Sequence, residues 1–147
     1  MIDQKLYEKI QAKFPNGKFP APFSQSLDIK LTRYLEGEVV AEVTVREEWL
    51  NPFGIAHGGF LFTLLDEILG AGAATVMDKT VYGDAKAMTT ASHNIFFHAP
   101  AHPGATLMIS ANVLSARRTL ITMEGQIRKK KDESIVATSK GLWYVIR

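Results

Sequence analysis

The chain has 147 residues, 46% apolar and 22% charged, a balance that fits one globular domain over 1–147 and excludes a fibrous or disordered chain. It has no cysteine, which excludes thiol catalysis, disulfides and cysteine-held zinc, and fits a reducing, cytoplasmic setting. The net charge of +2 supplies no bulk field for nucleic acid. No apolar run reaches the ~18 residues of a membrane span, and the mixed charges of MIDQKLYEKIQAKF leave no signal-peptide core.

In chain order, residues 3–14 space Leu6, Ile10 and Phe14 at helical intervals and predict a short amphipathic helix. PNGKFPAPF (15–23), with its prolines and glycine, predicts a loop. LDIKLTRYL (27–35) and VVAEVTV (39–45) alternate apolar and polar residues around the EGE turn, which predicts a hairpin. From Gly58 to about Met77 alternation stops, and apolar residues cover nearly every direction of a helix, so that helix is expected to be buried. Its glycines and alanines, Gly70 to Ala74, make sense if the sheet or a second copy of the helix packs closely there. Strands follow at 85–98, 106–116, 119–128 and 135–146, broken by APAHPG (99–104), the ARR turn and KKKDES (129–134). Their short connections demand antiparallel pairing. One antiparallel sheet must therefore bury one apolar helix, an α+β layer architecture.

The start of the central helix is the first chemical clue. Gly58 and Gly59 let a ligand approach backbone N–H groups that have no intrahelical partner and carry the positive end of the helix dipole, a place for a developing oxyanion. Asp66 is the second, a carboxylate inside an apolar helix, where a raised pKa suiting a general base is expected. Glu67, about 100° further around, is expected to be solvated or ion-paired and not catalytic. Gly58 and Asp66 lie about 12 Å apart along the axis at 1.5 Å per residue. One carbonyl cannot touch both in a single chain. If both act on one substrate, two antiparallel helices across a two-fold axis must share two sites.

Asn51-Pro-Phe-Gly-Ile-Ala-His57-Gly58-Gly59 followed by Thr63-Leu-Leu-Asp66 resembles the signature of the PaaI-type acyl-CoA thioesterases of the hotdog-fold superfamily. The element order resembles that fold too, an antiparallel sheet wrapped around a long central helix, over the chain from about residue 25 onward. The resemblance implies that Asn51 positions water or thioester, that Gly58 donates its N–H to the thioester oxygen, and that His57 orients the loop or bonds near the carbonyl. Asp66 of the partner subunit is then the general base or nucleophile. Thr90 stands where relatives carry a hydroxyl that helps hold the water, while Ser92 departs from the acidic residue usual two positions on. The implied partners are an acyl-CoA substrate and a second copy of the chain, in a dimer or dimer of dimers. Coenzyme A is part of the substrate and no other cofactor is expected.

Among the remaining residues, His93 and His98 are an odd number apart on one strand and so face opposite sides, which argues against a metal site. Arg117 and Arg118 are candidates for the phosphates of coenzyme A, whereas Arg128 to Lys131 read as a solvated turn. Phe53 and Trp49 flank the loop and either line an acyl pocket or anchor it. Two rival functions share the same substrate chemistry: a hotdog hydratase or dehydratase, and a non-catalytic acyl-CoA binding module. His57 followed directly by Gly-Gly and then by Asp66 favours hydrolysis.

Overall fold

The computed structural model describes residues 1–14, 21–80, 85 and 87–146. Three helices, α1 (Gln4–Gln11), α2 (Pro22–Ser26) and α3 (Gly58–Ala74), accompany six strands: β1 (Lys30–Leu35), β2 (Glu38–Thr44), β3 (Ala87–Phe97), β4 (Thr106–Arg117), β5 (Leu120–Lys129) and β6 (Ile135–Ile146). The strands form one sheet in the order β1-β2-β4-β5-β6-β3, and every neighbouring pair is antiparallel. The predicted hairpin closes at Leu35 opposite Glu38, where Gly37 takes φ 77°.

Alternation decides which face of the sheet turns inward. Val39, Ala41 and Val43 of β2, Leu107, Ile109 and Ala111 of β4, and Ile121, Met123 and Ile127 of β5 are all buried. They close on Leu61, Leu64, Leu65, Ile68 and Leu69 of α3. Each fully buried side chain of this size contributes about 1.5–3 kcal/mol. Helix and sheet touch most closely at two glycines. A Cβ at Gly72 would stand 2.7 Å from Met123 Cε, and one at Gly125 would stand 2.3 Å from Leu69 Cδ1 and 2.7 Å from the Ser110 carbonyl. The small residues late in α3 thus answer to the sheet.

Four expectations are corrected. The stretch 22–26 is helical, because Pro22 sits in the first turn, where its missing N–H costs nothing. β1 begins at Lys30, not residue 27, since Leu27 closes α2 and Asp28 takes a left-handed φ of 56°. α3 stops at Ala74: the Thr75 hydroxyl donates to the Gly72 carbonyl at 2.6 Å and accepts the Gly37 N–H at 2.8 Å. The fourth concerns β3, whose neighbour is β6, not β4; residues 98–105 carry the chain across the sheet. Residues 15–20 of the predicted loop lie outside the described residues.

β3 is therefore an edge strand, 11 residues long and mostly exposed. Its register against β6 shifts between Thr90, opposite Trp143, and Ser92, opposite Leu142. This bulge at Ala91 shapes the site below.

Candidate active site

The loop before α3 holds itself rigid. Asn51 Oδ1 accepts the N–H of Phe53 at 2.9 Å and of Ile55 at 3.4 Å. The Asn51 N–H donates to the Ile55 carbonyl at 2.8 Å, and His57 N–H to the Trp49 carbonyl at 2.8 Å. The Asn51 carbonyl oxygen is thus committed, and its amide N–H groups are what it offers a ligand. Trp49 stacks on Phe60 of the first helical turn at 4.6 Å between ring centroids, under the Arg46 guanidinium, so Trp49 anchors the loop. Phe53 points to solvent at 86% exposure.

His57 is the N-cap of α3. Its Nδ1 accepts the Gly59 N–H at 2.8 Å, which places the ring proton of the neutral imidazole on Nε2. The Gly59 N–H, expected to be open to a ligand, is therefore taken. Gly59 is needed for another reason: a Cβ there would stand 3.0 Å from His57 Nδ1. The Gly58 N–H has no protein acceptor among the described residues and lies at the positive end of the helix.

Two turns on, Asp66 projects toward β3. Thr90 Oγ1 donates to Asp66 Oδ1 at 2.9 Å, and His93 Nδ1 lies 3.4 Å from the same oxygen. The His93 imidazole, aided by the Thr90 hydroxyl and opposed by burial, holds the Asp66 carboxyl below the ordinary carboxylate value. The raised value expected for a carboxylate in an apolar helix is thus corrected. Its donors outweigh its desolvation, and it is ionised at neutral pH. His93 is the residue that strand alternation missed. Without the bulge, positions 90 and 93 would face opposite ways; with it, both turn inward, and nothing in the sequence marks it.

Beside Asp66 opens a cavity of about 540 Å³, lined by Ile29 and Leu31 of β1, Gly70 and Ala74 of α3, Met88 and Trp143, with Pro22 and Ser24 of α2 at its wall. Glu67 also reaches it and accepts a hydrogen bond from the Ser24 hydroxyl, so its partner is a neutral side chain and not the cation expected of an ion pair.

The predicted residues thus fall into two half-sites in one chain: Asn51, His57 and Gly58 at the start of α3, beside Phe97, and Asp66 with Thr90 further along. Arg117 and Arg118 line neither. They border a separate recess with Ser115, Thr119, Leu120 and Thr122. In the basic run, Lys130 pairs with Glu42 and Arg128 bonds the Glu133 carbonyl, which are structural roles.

Comparison with known proteins places the fold and the family. Residues 53–136 match the thioesterase superfamily. Acyl-coenzyme A thioesterase 13 of Homo sapiens is 30% identical over 139 residues, 95% of this chain and 93% of that protein. The PaaI protein of the E. coli phenylacetic acid degradation operon superimposes with a TM-score of 0.82 at 22% identity, covering 100% of this chain and 97% of PaaI. A Streptococcus mutans protein solved with acetyl CoA superimposes at 0.72, with 23% identity over 80% of this chain and 88% of that one. The chain belongs to the thioesterase superfamily. It is a thioester hydrolase built on the hotdog fold of the PaaI proteins. No helix among the described residues is long and apolar enough to cross a membrane.

Proposed function

We propose that the chain hydrolyses acyl-coenzyme A thioesters as a cytoplasmic homodimer with two shared sites. The observation that carries this is the placement of an ionised Asp66 at the mouth of an apolar cavity, two helical turns from the free Gly58 N–H. α3 runs antiparallel to β3, with Gly58 near Phe97 and Asp66 near Thr90. A two-fold axis through the middle of the open β3 edge would set the Gly58 end of one chain against the Asp66 end of the other. An unpaired edge of this length favours such pairing.

In that site the Gly58 N–H polarises the thioester carbonyl and receives the developing oxyanion. Asp66 takes a proton from water as the water oxygen bonds to the carbonyl carbon. The C–S bond then breaks, and the departing thiolate recovers the proton from Asp66. In the nucleophilic variant the carboxylate attacks first and expels the thiolate to give an anhydride. Water then cleaves the anhydride, giving the acid and the free Asp66 carboxylate and releasing a proton that neutralises the thiolate. The acyl group occupies the cavity beside Asp66. Arg117 and Arg118 hold the phosphates of coenzyme A, and two dimers associate. The name of the human relative and the acetyl CoA in the S. mutans structure support the choice of substrate.

The test is free-thiol release from a panel of acyl-CoAs by the wild type and by Asp66→Ala. Turnover that falls in the variant by about two to four orders of magnitude, with acyl-CoA binding retained, supports the reading. Binding without release by the wild type overturns it in favour of a binding module.

A further inference from the structure

Among the described residues, Asp66 is engaged at Oδ1 alone: it receives Thr90 Oγ1 at 2.9 Å and faces His93 Nδ1 at 3.4 Å. The His93 side chain is 2% exposed. Its ring is wedged between Phe62, 4.9 Å away, and Trp143, 5.5 Å away and edge-on. Neither ring nitrogen has a well-aligned hydrogen-bond partner among the described residues. An imidazole left in such a place is costly unless it is used. An ionised carboxylate only accepts, so the nitrogen that faces it must carry the proton.

We propose that His93 is a positioning residue for Asp66: its Nδ1–H closes on Oδ1 beside Thr90, fixes the plane of the carboxylate, and leaves Oδ2 as the single oxygen presented to the reacting centre. This rests on the thioesterase reading for its consequence in turnover, but not for its geometry. The contact tightens by a few tenths of an ångström when bound substrate excludes water from Oδ2, as catalytic hydrogen bonds do. Thr90 alone leaves the carboxylate free to rotate. The two donors together do not, and the bulge at Ala91 exists on the same face to bring both to it. Among the described residues, the other charged group lining the cavity is Glu67, held by Ser24 of α2. The neighbouring elements otherwise present Ile29 and Leu31 of β1, Met88 of β3 and Trp143 of β6, which carry no charge.

Two measurements test it. Long-range nitrogen NMR of the wild-type protein reads the His93 tautomer without any mutation. A protonated Nδ1 above the pH where the ring is neutral is expected, and a neutral ring protonated only on Nε2 overturns the proposal even if the enzyme proves to be a thioesterase. Kinetics then compare His93→Met, which fills the space without a donor, with His93→Asn, whose amide N–H can stand near Nδ1. His93→Met is expected to lower kcat roughly tenfold with KM within about twofold, and to move the acid limb of the pH profile upward, because Asp66 loses a donor to its charged form. His93→Asn is expected to recover most of both. Equal kcat and an unmoved limb in His93→Met, or equal damage in the two variants, overturns it. If the wild type releases no thiol from any acyl-CoA, the thioesterase reading fails, and the Asp66 carboxyl titration, followed by carbon NMR, still decides: a midpoint unchanged between wild type and His93→Met sinks the proposal.

Discussion

At the scale of single residues, the site is built from hydrogen bonds that decide which groups remain free. The His57 cap takes the Gly59 N–H and leaves that of Gly58. His57→Ala removes the cap and is expected to cost about 1 kcal/mol, read as a lower denaturant midpoint. An unchanged midpoint would mean that water satisfies the Gly59 N–H equally well. Asp66 carries a second prediction. With its carboxyl held below the ordinary value of about 3.9 by His93 and Thr90, its charged form persists on acidification. The acid limb of kcat/KM should therefore lie below about pH 4, and activity should be flat from there toward neutrality on that side. A limb near pH 6 would show that the carboxylate is not the essential base. Asn51, His57, Gly58 and Asp66 were all legible in the sequence, because the loop-to-helix junction is local and its spacing survives as text. His93 was not, since a bulge is decided by how β3 meets β6.

At the scale of elements, close packing and a salt-bridge cluster set the tolerances. Gly125→Ala would drive a Cβ into Leu69 and the Ser110 carbonyl. Overpacking of this kind is expected to cost about 1–3 kcal/mol, checked by chemical denaturation. α1 is held to the turn after α3 by Asp78, which pairs with Lys13 at 2.6 Å and Lys9 at 2.9 Å. Burial pushes the Asp78 carboxyl up, and the two ammonium groups overcome it to hold the carboxyl below its ordinary value. The stability this adds is complete above the unfolded value of about 3.9 and disappears as pH falls through the lower folded value. Asp78→Asn should therefore cost about 1 kcal/mol near neutral pH, and the difference should shrink as pH falls below about 3.9. A constant difference across that range would show that the charge is not what docks α1. The helix and all six strands could be located from periodicity. The missed helix, α2, spans too few residues to show any, and its proline reads equally well as loop or first turn.

At the scale of the whole molecule, the proposed reaction demands a second chain, because Gly58 and Asp66 of one chain lie too far apart to touch one carbonyl. Co-expression offers a direct check. Gly58→Pro removes the N–H while keeping a residue that suits the first helical position, and His57 already has the extended backbone that precedes proline. Paired with Asp66→Ala, it should regain about a quarter of wild-type activity: random mixing makes about half the dimers mixed, each with one intact site of two. No recovery in demonstrably mixed dimers would show that the two groups do not act together on one carbonyl.

The sequence by itself determined the α+β layering, the buried helix, the glycine junction and the carboxylate two turns beyond it, because each depends on residues near one another in the chain. It also determined that one chain cannot bring Gly58 and Asp66 to the same carbonyl, since helix rise is fixed. Only the tertiary structure decided that β3 lies at the open edge beside β6, that a bulge turns Thr90 and His93 to the same oxygen of Asp66, and that the carboxyl is held below its ordinary value where burial alone would raise it. These depend on partners far apart in the chain, and it is the sum of their donors against burial that sets the charge.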